Sequence, residues 1–320
     1  MQTVGSGTLA ELGEFGVVAA LAARFPQSPA VQHGPGDDAA VLSIGGAQVV
    51  ASVDLLVEDR HFRRDWSTAS DIGHKAAAEN LSDINAMGGR PVALLVGLAA
   101  PADLDVAWAL ELADGLAEES ALVGASVVGG DLSQSDKLTV AVTALGMCEY
   151  GVVLRSGARP GDQVALAGRQ GWAGAGFAVL TRGFRSPRAV VDAHRRPQPP
   201  YAAGPAAAAG GATAMIDVSD GLLQDVGHVA TASGVAIDIE SSCLDVPEPL
   251  QAVGAALGVD PTSFVLTGGD DYGLVATFVA AASLPEQWRR IGRVLAAGEP
   301  GSVTVDGLPY GAAPGHQHFR

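Results

Sequence analysis

Six short acidic clusters, each placed where an apolar run stops, constrain this chain more than any other feature. They are Gly36-Asp37-Asp38, Ser52-Val53-Asp54, Ser82-Asp83, Gly129-Gly130-Asp131, Asp217-Val218-Ser219-Asp220-Gly221 and Gly268-Gly269-Asp270-Asp271. An unpaired charge beside a buried core is expensive, so packing alone gives no reason for so many carboxylates there. Hard divalent cations do, because Mg²⁺ and Ca²⁺ take Asp and backbone oxygens as ligands. The chain has only two lysines, Lys75 and Lys137, to set against these acids. The first expectation is a multi-metal site, and the natural companion of clustered Mg²⁺ is a polyphosphate.

A chain of 320 residues is long for one core and suits two domains, placed at 1–150 and 151–320. The formal charge of −16 argues against nucleic acid or an anionic membrane as partner, since either needs a basic face. An anionic substrate is still open to it if metals or a few arginines invert the local field. Two cysteines, Cys148 and Cys243, make neither a disulfide framework nor a thiolate metal site. No basic stretch followed by an apolar one opens the chain, and the apolar run Val92–Ala100 is too short to span a bilayer. The expected location is cytoplasmic.

Helical spacing of Leu9, Leu12, Val17 and Leu21 predicts an amphipathic helix over 8–24. Strands are expected at Ala39–Ile44 and Gln48–Val57, then a helix from Ser70 to Met87 with Ser70 or Asp71 as cap and Gly88-Gly89 as stop. A strand at Val92–Leu98, a helix at Asp103–Leu122, a strand into Gly129-Gly130 and a strand at Lys137–Met147 complete the first half. The second half reads as strand Gln163–Ala167, helices near 173–182 and 201–209, strand 213–217, helix 221–233 and strand 235–239. After these, Phe264–Thr267 reads as a β-branched run and Tyr272–Phe278 as a strand. The alternation predicts an α/β or α+β architecture in both halves.

Two glycine-rich stretches are not nucleotide fingerprints. Gly34-Pro35-Gly36-Asp37-Asp38-Ala39 has the spacing of a dinucleotide loop but leads into a strand rather than a helix, and Gly171–Gly176 carries no base or carboxylate. A Walker-type phosphate loop is excluded, because neither lysine stands in a Gly-Lys-Ser/Thr context. If ATP is handled here, metal bridging replaces the lysine cradle.

Several of these residues also have a plain explanation: a surface turn for Asp37-Asp38, a helix cap for Asp54 or Asp220, a solvated loop for His61. Asp83 resists such a reading. It shares a helix face with Glu79, and like charges four residues apart destabilise a helix unless a cation sits between them. Lys75, four residues before Glu79, offsets part of this. Asn80 and Asn85 add polar groups that a helix does not ask for. In Asp217-Val218-Ser219-Asp220, a helix cap accounts for one polar residue and leaves Asp217 unexplained.

In order and spacing the clusters resemble those of the thiamine-monophosphate kinase family, within the aminoimidazole-ribonucleotide-synthetase-like superfamily. The matching stretches are Gly36–Ala40, Ser52–Val57, Asn80–Gly88, Gly129–Asp131, Arg155–Asp162, Asp217–Leu222 and Gly268–Tyr272, so the likeness spans nearly the whole chain, including the tail His318-Phe319. The resemblance implies an α/β (α+β) two-domain fold, with an N-terminal sheet that forms a barrel in a homodimer and a C-terminal α/β domain. It implies transfer of a phosphoryl group from ATP to thiamine monophosphate, assisted by several Mg²⁺ ions. By the same resemblance, Asp38, Ser52, Asp54, Asp83, Asp131, Asp217 and Asp220 are metal ligands, with Asp54, Asp83, Asp131 and Asp220 central to catalysis. Gly130, Asp131, Arg155 and Ser219 would contact ATP; His61, Asp270 and His316 would contact thiamine monophosphate. The chain departs from the family pattern at Val53, where only the backbone carbonyl could serve a metal, at Asp270, a shorter acid than the usual Glu, and at His316, where an aromatic ring is expected.

The residue chemistry suits such a reaction. A phosphate monoester has a second pKa near ~6 and is mostly a dianion at neutral pH, so its oxygen attacks without a general base. What must be overcome is repulsion between two anions aligned for in-line transfer. Rival readings are a cyclo-ligase of the same superfamily and a non-enzymatic cation-binding protein. Selenophosphate synthesis would call for a reactive residue near the N-terminus, yet no cysteine precedes Cys148; a carbamoyl-dehydrating relative would end in cysteine, where this chain ends in His318-Phe319-Arg320.

Overall fold

The computed structural model describes residues 31–33, 37–45, 47–296 and 298–316. The helix expected at 8–24, Gly36 and the tail His318-Phe319 lie outside the described residues.

Two sheets organise the chain, one in each half. The first contains β1 (Val31–His33), β2 (Ala40–Ile44), β3 (Ala47–Val57), β4 (Arg90–Ala100), β5 (Ser126–Gln134) and β6 (Thr139–Met147), in the order β1-β2-β3-β6-β4-β5. β4 and β5 are parallel and joined by a crossover helix, while the other neighbours are antiparallel. Along β6, Val140, Val142 and Ala144 are buried and the residues between them less so, the period-2 signature of a sheet covered on one face. The covering layer is α1 (Ala69–Ala86) and α2 (Val106–Leu122).

The second sheet contains β7 (Gln163–Ala167), β8 (Ala214–Val218), β9 (Ile237–Ile239), β10 (Gly273–Phe278), β11 (Trp288–Val294), β12 (Val303–Val305) and β13 (Leu308–Pro309), ordered β13-β12-β9-β11-β7-β10-β8. Around it lie α3 (Trp172–Thr181), α4 (Arg188–Arg195), α5 (Ala203–Ala209), α6 (Leu222–Ser233), α7 (Glu248–Leu257) and α8 (Thr262–Thr267). Strands β8 and β10 are buried along their whole length, and their sequences are apolar apart from Asp217 and Thr277. Both sheets are largely antiparallel, so the fold takes the α+β side of the expected class.

Helix α1 holds the site together. Its N-cap is Thr68 rather than Ser70 or Asp71: the Thr68 hydroxyl accepts from Asp71 N at 3.1 Å, and Asp71 Oδ2 accepts from Thr68 N at 3.0 Å. Asp71 is the third residue of this capping box, which satisfies two otherwise orphaned N–H groups. Nearly all of α1 is buried because it packs on the first sheet, on α2 and on the second half. The approach to α2 is glycine-dependent: a Cβ on Gly73 would lie 2.2 Å from Leu112 O, and one on Gly115 2.1 Å from Ser70 O. At the other end, Asn85 binds the second half, donating to Pro200 O at 3.1 Å and accepting from Gly204 N at 3.0 Å. That contact is what Asn85 is for.

Three expectations change. β5 continues through Gly129-Gly130, so Asp131 lies within a strand instead of after one. Phe264–Thr267 is helix α8, and α4 was not read from the sequence at all. The face of the first sheet turned away from α1 stays apolar and open, with Val53, Leu55 and Leu95 all exposed.

Candidate active site

Three carboxylates from distant stretches meet at the seam between the halves. Asp38 stands just before β2, Asp83 near the C-terminal end of α1, and Asp217 within β8. All three are buried, and each offers an oxygen within 4.8 Å of the others. Like charges that close repel by about 3 kcal/mol per pair even at an effective dielectric of ~20. Burial pushes the Asp38 carboxyl up to about 6, against the pull of Arg155. Burial and then the surrounding carboxylates, Asp54 foremost for Asp83 and Asp38 for Asp217, raise those two well above the usual range. Asp38 Oδ2 is buried with no hydrogen-bond partner among the described residues. Three acid oxygens facing one another, with an orphaned oxygen on one of the same carboxylates, fit a hard divalent cation.

The neighbouring groups order this cluster. Ser52 Oγ donates to Asp83 Oδ2 at 2.5 Å. Asp54, on β3, is close enough to raise the carboxyls of Asp38, Asp83 and Asp217, and its backbone N–H donates to Asn80 Oδ1 at 2.9 Å. Asn80 in turn donates to Ala76 O at 2.9 Å, which accounts for an amide inside α1. Arg155 Nη2 donates to Asp38 Oδ1 at 2.5 Å and its backbone N–H to Asp37 Oδ2 at 2.8 Å. The one arginine assigned to ATP is thus already at the carboxylates.

Beyond β8 the chain turns through Ser219 and Asp220 into α6. The backbone N–H groups of Asp220 and Gly221 donate to Asp225 Oδ2 at 3.1 and 3.0 Å, a buried capping acid that sequence reading missed. Gln224 Nε2 donates to Asp220 Oδ2 at 2.8 Å and to His316 O at 2.6 Å, while His316 N donates to Asp220 O at 3.0 Å. The C-terminal segment therefore lies on the Asp220 turn.

A second group of residues gathers beside the acids. His61 Nδ1 accepts from Val57 N at 2.9 Å, which orients the ring. Lys75 offsets part of the Glu79 charge as expected, but its hydrogen bond goes to Asp270 Oδ2 at 2.7 Å across the seam. Burial would raise the Asp270 carboxyl, yet the neighbouring cationic and imidazole groups, Lys75 foremost, together hold it below its usual range. Glu79 is raised well above its usual range by burial and accepts from Tyr272 OH at 3.3 Å. His194 of α4 stands 4.0 Å from Asp270, and burial lowers its pKa to about 3, so the ring is neutral. None of Lys75, Glu79 and His194 was singled out as a site residue from the sequence. For His194 the usable signal was Val190, Val191 and His194 at helical spacing after Pro187.

Two acids have other places. Asp271 accepts from Gly171 N at 2.5 Å and Ala173 N at 2.9 Å, so it caps α3 and is satisfied there. Asp131 is exposed on the edge strand β5, where Ser133 Oγ donates to it at 3.1 Å. In register it sits next to Gly130, which faces Val96 on β4, Val142 on β6 and then Asp54 on β3. Three strand spacings, about 14 Å, separate that row's ends within one chain. Gly130 leaves no room for a side chain against β4: a Cβ there would lie 1.8 Å from Val96 O.

The AIR synthase related protein N-terminal domain matches residues 36–148, and the corresponding C-terminal domain matches residues 159–304. A thiamine-monophosphate kinase of Mycobacterium tuberculosis is 48% identical over 316 residues, 98% of this chain and 94% of that protein. The Escherichia coli thiamine-monophosphate kinase is 35% identical over 276 residues, 83% of this chain and 82% of its own. Among solved structures, AaThiL complexed with AMPPCP and TMP superposes with a TM-score of 0.89 at 32% identity, covering 98% of this chain and 99% of that one. Thiamine monophosphate kinase from Aquifex aeolicus superposes with a TM-score of 0.78, covering 87% and 93%. The chain belongs to the AIR synthase related proteins and, among them, to the thiamine-monophosphate kinase family.

Proposed function

We propose that this protein transfers the terminal phosphoryl group of ATP to thiamine monophosphate, giving thiamine diphosphate and ADP, the last step in making that diphosphate. The observation that carries the reading is the meeting of Asp38, Asp83 and Asp217 in one buried cluster, with His61, Lys75 and Asp270 beside it. Relatives bearing the kinase name at up to 48% identity support it, as does the fold shared with a structure holding an ATP analogue and TMP.

Asp38, Asp83 and Asp217, with Ser52, Asp54 and Asp220 around them, would hold Mg²⁺, which when bound neutralises phosphate charge and aligns the reacting groups. The chain's own residues do the rest. Arg155 stands at the same carboxylates and can turn a guanidinium to a polyphosphate, with Ser219 on the adjoining turn. His61 and Asp270 mark the approach of thiamine monophosphate, and His316 closes the Asp220 side. The acceptor oxygen is already ionised, so no side chain need take its proton, and transfer is direct with no phosphoenzyme.

Residues 1–150 would bind metal and ATP and make the dimer, and residues 151–320 would complete the cleft. A second copy suits the open apolar face of the first sheet, and it also explains Asp131. Standing about 14 Å from Asp54 in its own chain, Asp131 with Gly130 reaches the site from the other subunit. The location we propose is the cytoplasm, in keeping with two free cysteines; among the described residues no helix is long and apolar enough to cross a membrane.

A coupled assay of ADP release, run over a panel of phosphate-bearing acceptors, tests the reading. ADP should form with thiamine monophosphate and Mg²⁺, and removal of either should stop it. Equal release without the acceptor, or with an unrelated one only, would refute it.

A further inference from the structure

The chain's two lysines differ in kind. Lys137 is exposed, while Lys75 is 3% exposed within α1. Its ammonium reaches two of the three groups assigned above to thiamine monophosphate, donating to Asp270 Oδ2 at 2.7 Å and to His61 O at 3.4 Å. One comes from each half of the molecule, and the ammonium is their shared contact.

Asp270 sits in a loop that does not hold its shape by local preference. Its φ is 65° and that of Tyr272 is 52°, left-handed conformations that non-glycine residues keep only when the surroundings over-determine them. Asp270 N donates to Ser219 O at 2.8 Å and Tyr272 N to Val218 O at 3.0 Å, which fixes the backbone against β8. The Asp270 side chain is fixed by Lys75 and Tyr272 by Glu79, both on α1. Stability alone gives little reason for the charge, since the Asp270 side chain is 40% exposed and an ion pair with one partner in water contributes little. A carboxylate that must point one way does give a reason.

We propose that Lys75 is a positioning residue for thiamine monophosphate, locking the Asp270 carboxylate and the His61 turn into the arrangement that receives the substrate. It acts through those residues and takes no part in the phosphoryl transfer. The inference rests on the reading of His61 and Asp270 as substrate contacts.

The test is a double-mutant cycle in the full-length protein with Lys75→Met, Asp270→Asn and the pair combined, reading KM for each substrate. Lys75→Met should raise KM for thiamine monophosphate about tenfold or more, leave KM for ATP within about twofold, and add nothing once Asp270→Asn is present. Lys75→Arg, which keeps the charge and a donor, should recover part of the loss. If Lys75→Met does not fold, Lys75→Gln enters the same cycle. Additive effects, both KM values rising together, or an unchanged KM for thiamine monophosphate would overturn the role. An unaltered protein that releases no ADP with thiamine monophosphate would overturn the functional reading and this inference together, whereas normal turnover with an insensitive KM overturns only the inference.

Discussion

A carboxylate's part in this chain is set by what its two oxygens can reach. Asp271 and Asp38 close similar motifs, yet the first has both oxygens on helix N–H groups and the second keeps one buried oxygen unpartnered. Asp54→Asn should keep the fold and reduce turnover by about a thousandfold, because it removes charge where phosphate charge must be met. Turnover near that of the unaltered protein would take Asp54 out of the site. The raised carboxyls make a second prediction. Asp38 at about 6, with Asp83 and Asp217 higher than usual, means the metal-free fold keeps protons that the unfolded chain has lost. Metal-free stability therefore declines as pH rises from about 4 through 6, and Mg²⁺, which displaces those protons, should raise Tm more near pH 8 than near pH 5. Thermal melts with Mg²⁺ and with chelator at both values check this; an equal shift would contradict it. The acids were legible in the sequence because charge at the end of an apolar run violates a packing rule. The Lys75–Asp270 contact was not, since it joins positions 195 residues apart with no local signal.

At the scale of elements, α1 carries the argument: it supplies Asp83, Lys75 and Asn80 and touches both halves. Its place is set by the crossing with α2, where Gly115 leaves no room for a side chain. Gly115→Ala should cost roughly 3 kcal/mol or more, as backbone cannot yield the way a side chain can. A chemical-denaturation midpoint unchanged by the substitution would mean the helices do not meet as described. Most strands and long helices were readable from alternation and from glycine stops. The Phe264–Thr267 segment was not, because its length fits a short helix as well as a strand and the choice came from tertiary packing. The α1 cap was misplaced by two or three residues: Thr68, Ser70 and Asp71 are all good caps, and only the reciprocal bond between Thr68 and Asp71 decides.

For the whole molecule, the dimer proposed above makes a test of Asp131 against Asp54 possible. Mixed dimers of Asp54→Asn with Asp131→Asn should regain activity that neither variant shows alone, since one of the two sites would then have both acids intact. No regain on mixing would place Asp131 outside the shared site. The central claim is that carboxylates from distant stretches hold Mg²⁺ in one cleft so that two anions can meet. Titration of Mg²⁺ calorimetrically, with an unreactive ATP analogue and thiamine monophosphate present, measures it directly on the unaltered protein, Asp83→Asn and Asp217→Asn. The account predicts saturable binding that weakens at least about tenfold in each variant; identical isotherms for all three would contradict it.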